Sequence, residues 1–138
     1  MIRAILCPVD FSDASRTALR AAVRFARQFK ARLHVLFVED PLLALAEAPG
    51  PTVSPALKEE LRQFVAGTSD LNLPGEPTLH VLAGHAAEEI VRLAEHEHAD
   101  VIVMGAHGLT GVRKAFFGST TARVLSRMVD IVMVRTFE

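Results

Sequence analysis

The sequence has no tryptophan, no tyrosine and a single cysteine, and its charges almost cancel: 15 Lys+Arg against 16 Asp+Glu leave a formal charge of -1. Each shortage removes a class of explanation. One cysteine cannot close an intramolecular disulfide, and Cys7 lies inside the apolar run Ile2 to Val9, where a small buried hydrophobe is expected rather than a reactive thiol. Balanced charge removes the basic excess on which non-specific nucleic-acid binding rests. No apolar stretch approaches the ~18 residues of a membrane helix, and the first residues lack a signal-peptide layout. A soluble, cytoplasmic protein is therefore expected, with neither nucleic acid nor membrane among its partners. Lacking tryptophan and tyrosine, the chain should hardly absorb in the aromatic ultraviolet, so a bound chromophore would dominate its spectrum.

What remains is the composition of a globular domain. Half of the 138 residues are apolar and 22% are charged, which suits one domain, residues 1–138, with its own core. Four short apolar runs, Ile2–Val9, Leu33–Val38, Val101–Met104 and Ile131–Val134, read as strands buried on both faces. Thr78–Leu82 reads as a fifth. Between them lie segments of helical period. In Ser12 to Lys30 an apolar stripe (Ala18, Ala22, Phe25, Ala26, Phe29) opposes an arginine stripe (Arg16, Arg20, Arg24, Arg27), with Ser12 placed to cap the helix. Pro55–Ala66, Ala86–Glu97 and Ser119–Met128 predict three more helices.

Strict alternation of strand and helix implies an open parallel sheet with right-handed crossovers and helices on both faces. In such sheets ligands bind beyond the carboxyl ends of the strands, where the strand order reverses. The loops after Val9, Val38, Leu82 and Met104 are thus the place to look. The 40–54 segment, with Pro41, Pro49, Gly50 and Pro51, follows the second strand on that side and reads as a variable surface loop or a lid.

The segment from Gly105 to Thr120 carries the most chemistry. Glycines at 105 and 108 permit sharp turns and close approach to a ligand, while Gly118, Ser119 and Thr120 stand at a helix start, where free amides and the helix dipole favour an anion. The run has neither the lysine of a Walker A loop nor the spacing G-x-G-x-x-G. Its own spacing, Gly105-x2-Gly108-x9-Gly118-Ser119, resembles the nucleotide-binding signature of the universal stress protein family. Pro8-Val9-Asp10-Phe11-Ser12 and Ala99-Asp100-Val101-Ile102-Val103-Met104-Gly105 are similar to that family's first strand and turn and its fourth strand.

The resemblance covers nearly the whole chain and implies a Rossmann-like fold of the adenine nucleotide alpha hydrolase type, with five parallel strands in order 3-2-1-4-5. It implies the ATP-binding branch of the family, with ATP bound with or without Mg²⁺. Pro8, Val9, Val38 and Met104 would wall the adenine, and Asp10 would hold a ribose hydroxyl. Gly105, His107 and Gly108 would wrap the ribose and α-phosphate, and Gly118, Ser119 and Thr120 the outer phosphates. Arg113 and Lys114 either counter phosphate charge or are solvated. The resemblance also implies a homodimer through Ile131, Val132, Met133 and Val134, although Val129-Asp130 replaces the family's Cys-Pro lead-in.

Binding is separate from catalysis. Only Asp10 and His107 qualify as acid–base groups near the loop, so a nucleotide sensor or regulator in a stress response, with slow hydrolysis at most and an unknown protein partner, is the expectation. A nucleotide-free interaction module and a weak ATPase or phosphotransferase are the alternatives. His96-Glu97-His98 looks like a metal cluster, but residues i and i+2 of a helix do not face one way, so a solvated helix end is expected. His85 stands where the family often has proline, and His34 and His80 have no partner that the sequence identifies.

Overall fold

Apolar side chains at successive positions leave the first strand no solvent face, and β1 (Ala4–Val9) is buried at all six residues. The computed structural model describes residues 1–40, 55–68, 73, 75–105, 123–124 and 131–134. Within these, β1 is followed by α1 (Asp13–Phe29), β2 (Arg32–Glu39), α2 (Pro55–Ala66), β3 (Thr78–Ala83), α3 (Ala86–His96), β4 (Val101–Gly105) and β5 (Ile131–Val134). All strands are parallel, in the order β3-β2-β1-β4-β5. The expected fold class and strand order are observed.

The period-2 alternation of strands sends neighbouring residues to opposite faces. Ile5, Cys7, Val9, Leu33, Val35 and Val103 pack beneath α1 and α2, whose Ala18, Leu19, Ala22, Val23, Leu61, Phe64 and Val65 close one half of the core. Leu6, Leu36, Val38, Ile102 and Met104 pack beneath α3, through Ile90, Val91 and Ala94, and against Val124. Cys7 is fully buried, and burial pushes its thiol pKa far above the ordinary value, as befits an inert core residue.

Two details of α1 depart from the periodicity. Phe29 is 40% exposed: it stands in the last turn, just before Lys30 adopts left-handed backbone (φ 54°) and turns the chain into β2. Arg16 leaves the solvated stripe. Its guanidinium lies 4.1 Å over the Phe64 ring and donates to Phe64 O and Thr68 Oγ1, joining α1 to α2. Of the helix expected over Ser119–Met128, Arg123 and Val124 are described and helical; the rest lies outside the described residues. Among the described residues no helix is long and apolar enough to cross a membrane.

Candidate functional site

The strand order reverses between β1 and β4, so their carboxyl ends flank the one crevice that this topology dictates. β1 pairs with β2 along its whole length, and with β4 at Ile5 and Leu6. Pro8, which has no N–H to donate, follows two residues later. Asp10 comes directly after Val9, at the strand's exit.

Asp10 is 5% exposed, and its two carboxylate oxygens have different fates. Oδ1 accepts the Ser12 N–H at 3.0 Å. The Asp10 N–H donates to Ser15 Oγ at 3.3 Å, Ser15 Oγ donates to Ser12 O at 3.0 Å, and Ser12 Oγ accepts the Ser15 N–H at 3.1 Å, capping α1 as expected. Oδ2 is buried and has no hydrogen-bond partner among the described residues. A charged acceptor left in this way costs about 1–3 kcal/mol or more.

The turn is also held in an unfavourable backbone state. Phe11 has φ 65°, a region that bulky side chains avoid. Its ring stacks on Phe37 at 4.5 Å and meets Phe64 edge-on at 5.4 Å, contacts that fix the residue there. Strain over-determined by its surroundings is characteristic of functional turns. Neither Phe11 nor Ser15 was singled out by sequence. The Ser12-x-x-Ser15 spacing is the available signal for the second; the first has none.

The other expected site residues are placed as follows. Pro8, Val38, Met104 and Gly105 are buried at the ends of β1, β2 and β4. Val38 and Met104 share the α3 face, but Val9 packs on the opposite face, under α1 and α2. The three therefore do not form one wall by their side chains. Gly105 has a packing reason for lacking a Cβ: that atom would lie 3.2 Å from the backbone carbonyl and the Cβ of Ala14, so glycine lets the first turn of α1 seat against β4. His107, Gly108, Arg113, Lys114, Gly118, Ser119 and Thr120 lie outside the described residues, as does 41–54 of the possible lid.

At the neighbouring β3 exit, Gly84 has φ 151°, and an added Cβ would stand 2.9 Å from Glu89 Cγ. Its N–H donates to Glu39 O at 3.0 Å, closing β3 onto β2. His85, at the proline position of the resemblance, precedes α3 without a side-chain capping bond.

Comparison with known proteins points the same way. The model of the universal stress protein family matches residues 1–135. The chain is 34% identical to a universal stress protein of Methanocaldococcus jannaschii over 139 residues, covering 97% of this chain and 82% of that one. A solved universal stress protein in complex with cAMP is similar with a TM-score of 0.69 at 23% identity, covering 99% of this chain and 98% of the other. The universal stress protein from Archaeoglobus fulgidus in complex with dAMP is similar with a TM-score of 0.65 at 22% identity, over 96% and 97% of the two chains.

Proposed function

We propose that this chain, which belongs to the universal stress protein family, binds an adenine nucleotide, ATP foremost, at the carboxyl ends of β1 and β4 and acts as a nucleotide-dependent sensor or regulator in a stress response. The buried Oδ2 of Asp10, without a hydrogen-bond partner among the described residues, carries the reading. A carboxylate oxygen accepts only from a donor; an adenosine phosphate offers its ribose hydroxyls and the adenine amino group, and the family resemblance assigns the ribose to Asp10. Set directly against phosphate oxygens it would repel them. Two proteins of the same fold hold cAMP and dAMP. The first nucleotide keeps the 2′-hydroxyl and the second the 3′-hydroxyl, so each retains a donor of the required kind.

The glycine and hydroxyl residues from Gly105 to Thr120 would take the phosphates, chiefly through backbone amides and helix polarity. Without a Walker lysine, and with Asp10 engaged by the turn and the ribose, hydrolysis is at most slow. β5 forms one edge of the sheet, and an edge strand invites pairing with a second copy across a twofold axis. The protein is accordingly a homodimer through Ile131–Val134, and a monomer by light scattering at micromolar concentration would remove that part.

Titration calorimetry with ATP and with 2′,3′-dideoxy-ATP tests the site. A hydrogen bond to a charged group is worth about 1.5–3 kcal/mol, so the dideoxy compound should bind roughly tenfold or more weakly. Equal affinities would remove Asp10 from the ribose. No binding of ATP would return the chain to a nucleotide-free interaction module.

A further inference from the structure

The other end of the sheet holds a second unsatisfied group. His34 is the third residue of β2 and His80 the third of β3; in the ladder His34 stands opposite Thr78 and His80 opposite Leu36. Positions 34 and 36 share a face, so the two imidazoles project to the side covered by α3. That helix ends at His96. Glu97 is its C-cap, and His98, with φ 53°, turns the chain toward β4. The carboxylate of Glu97 is thereby brought to the two rings.

His34 Nδ1 is 3.0 Å from His80 Nε2, and the rings lie 5.3 Å apart at 30°. His34 Nε2 is 3.9 Å from Glu97 Oε2, beyond hydrogen-bond distance. The His34 side chain is 5% exposed, and Nε2 is buried without a hydrogen-bond partner among the described residues. The other carboxylate oxygen, Oε1, lies 3.2 Å from His96 Nδ1.

We propose that His34, His80 and Glu97 form a binding site for one divalent transition-metal ion of the zinc type, at the end of the sheet opposite the nucleotide crevice. Each residue offers one ligand atom, and the three atoms lie within 4.8 Å of one another. A nitrogen and an oxygen 3.9 Å apart are too far for a hydrogen bond, yet both reach one zinc, whose bonds to each are about 2.0–2.1 Å long. Two imidazoles and a carboxylate suit zinc better than magnesium or calcium, which take oxygen ligands.

The surroundings support the same occupant. The His96 ring steadies the carboxylate as an outer-shell partner does, and the carbonyl end of α3 adds partial negative charge. Arg32 and Lys58 contribute opposing positive charge. His80 and Glu97 are partly exposed, leaving an open side for a water ligand.

The full chain, stripped with chelator and free of nucleotide, is titrated with zinc by calorimetry, and cobalt absorption reads the coordination. One ion per chain is expected. His80→Ala and Glu97→Gln, both at partly exposed positions, should each weaken it roughly tenfold or more with an unchanged circular dichroism spectrum. The decision rests on these two because His34→Ala removes a core side chain. The absence of saturable binding overturns the site, as does an affinity equal to wild type in both variants, which would assign the zinc to surface histidines.

Discussion

Among the described residues two buried side-chain atoms lack a hydrogen-bond partner, and they stand at opposite ends of one sheet: Asp10 Oδ2 at the exit of β1 and His34 Nε2 near the entrance of β2. The first is a carboxylate oxygen, an acceptor that asks for a donor. The second is an imidazole nitrogen facing a carboxylate across 3.9 Å, an arrangement that asks for a cation. Non-glycine residues at positive φ stand at both ends, Phe11 (65°) at the exit and Lys30 (54°) and His98 (53°) at the entrance. At the entrance the strands are tied down: Arg3 N and Ala4 N donate to Asp100, Asp100 N donates to Ala4 O, and Arg32 N donates to Arg3 O. On the proposed reading one end holds a ligand and the other ties the sheet together, with the imidazole pair as its exception.

If that division is right, the two ends respond to different ligands. The largest effect is expected from Asp10→Ala: ATP affinity falls roughly tenfold or more, while zinc affinity stays as in wild type. His80→Ala should do the reverse. Distant sites without shared partners usually act independently to within about 0.5 kcal/mol, so the double variant should show the two losses unchanged. Calorimetry with each ligand reads all four proteins. A loss of both ligands in either single variant would mean that the ends communicate, and the division would fail.

The unequal legibility of the two ends follows from their physics. Strand and helix periods are local, so Pro55–Ala66 and Ile131–Val134 carry the same bounds in sequence and structure. Asp10 was legible because a carboxylate after a buried strand and before a capped helix is conspicuous, and because parallel topology says which strand ends matter. That only one of its oxygens is engaged was not legible, since it depends on the fold of Ser12 and Ser15. The histidine cluster was further out of reach. His34 and His80 lie 46 residues apart in sequence, and only the ladder register shows that they share a face. Glu97 escaped because the spacing of i and i+2 set aside His96 and His98, whereas the carboxylate between them is the group brought to His34. The expected apolar wall failed in one member because Val9 and Met104 belong to opposite faces, a distinction that apolar runs do not display.

The smallest predicted effect lies at the entrance and tests whether it is the end that holds the sheet. The N–H groups of Arg3 and Ala4 donate to Asp100 Oδ2 at 2.8 and 3.1 Å and hold its pKa below the ordinary carboxylate value. A carboxylate whose pKa is lower folded than unfolded adds stability in full above the unfolded value of about 3.9, and loses it as pH falls through the folded value. Asp100→Asn, with its amide oxygen in the place of Oδ2, keeps the acceptor that the two N–H groups share but removes the charge. Because the side chain is exposed, the cost at neutral pH is small, and it should shrink as the medium is acidified below about pH 4. Urea midpoints of both proteins, followed by circular dichroism since the chain has neither tryptophan nor tyrosine, give that difference directly. A gap that stays constant on acidification would show that Asp100 contributes through packing rather than through its charge.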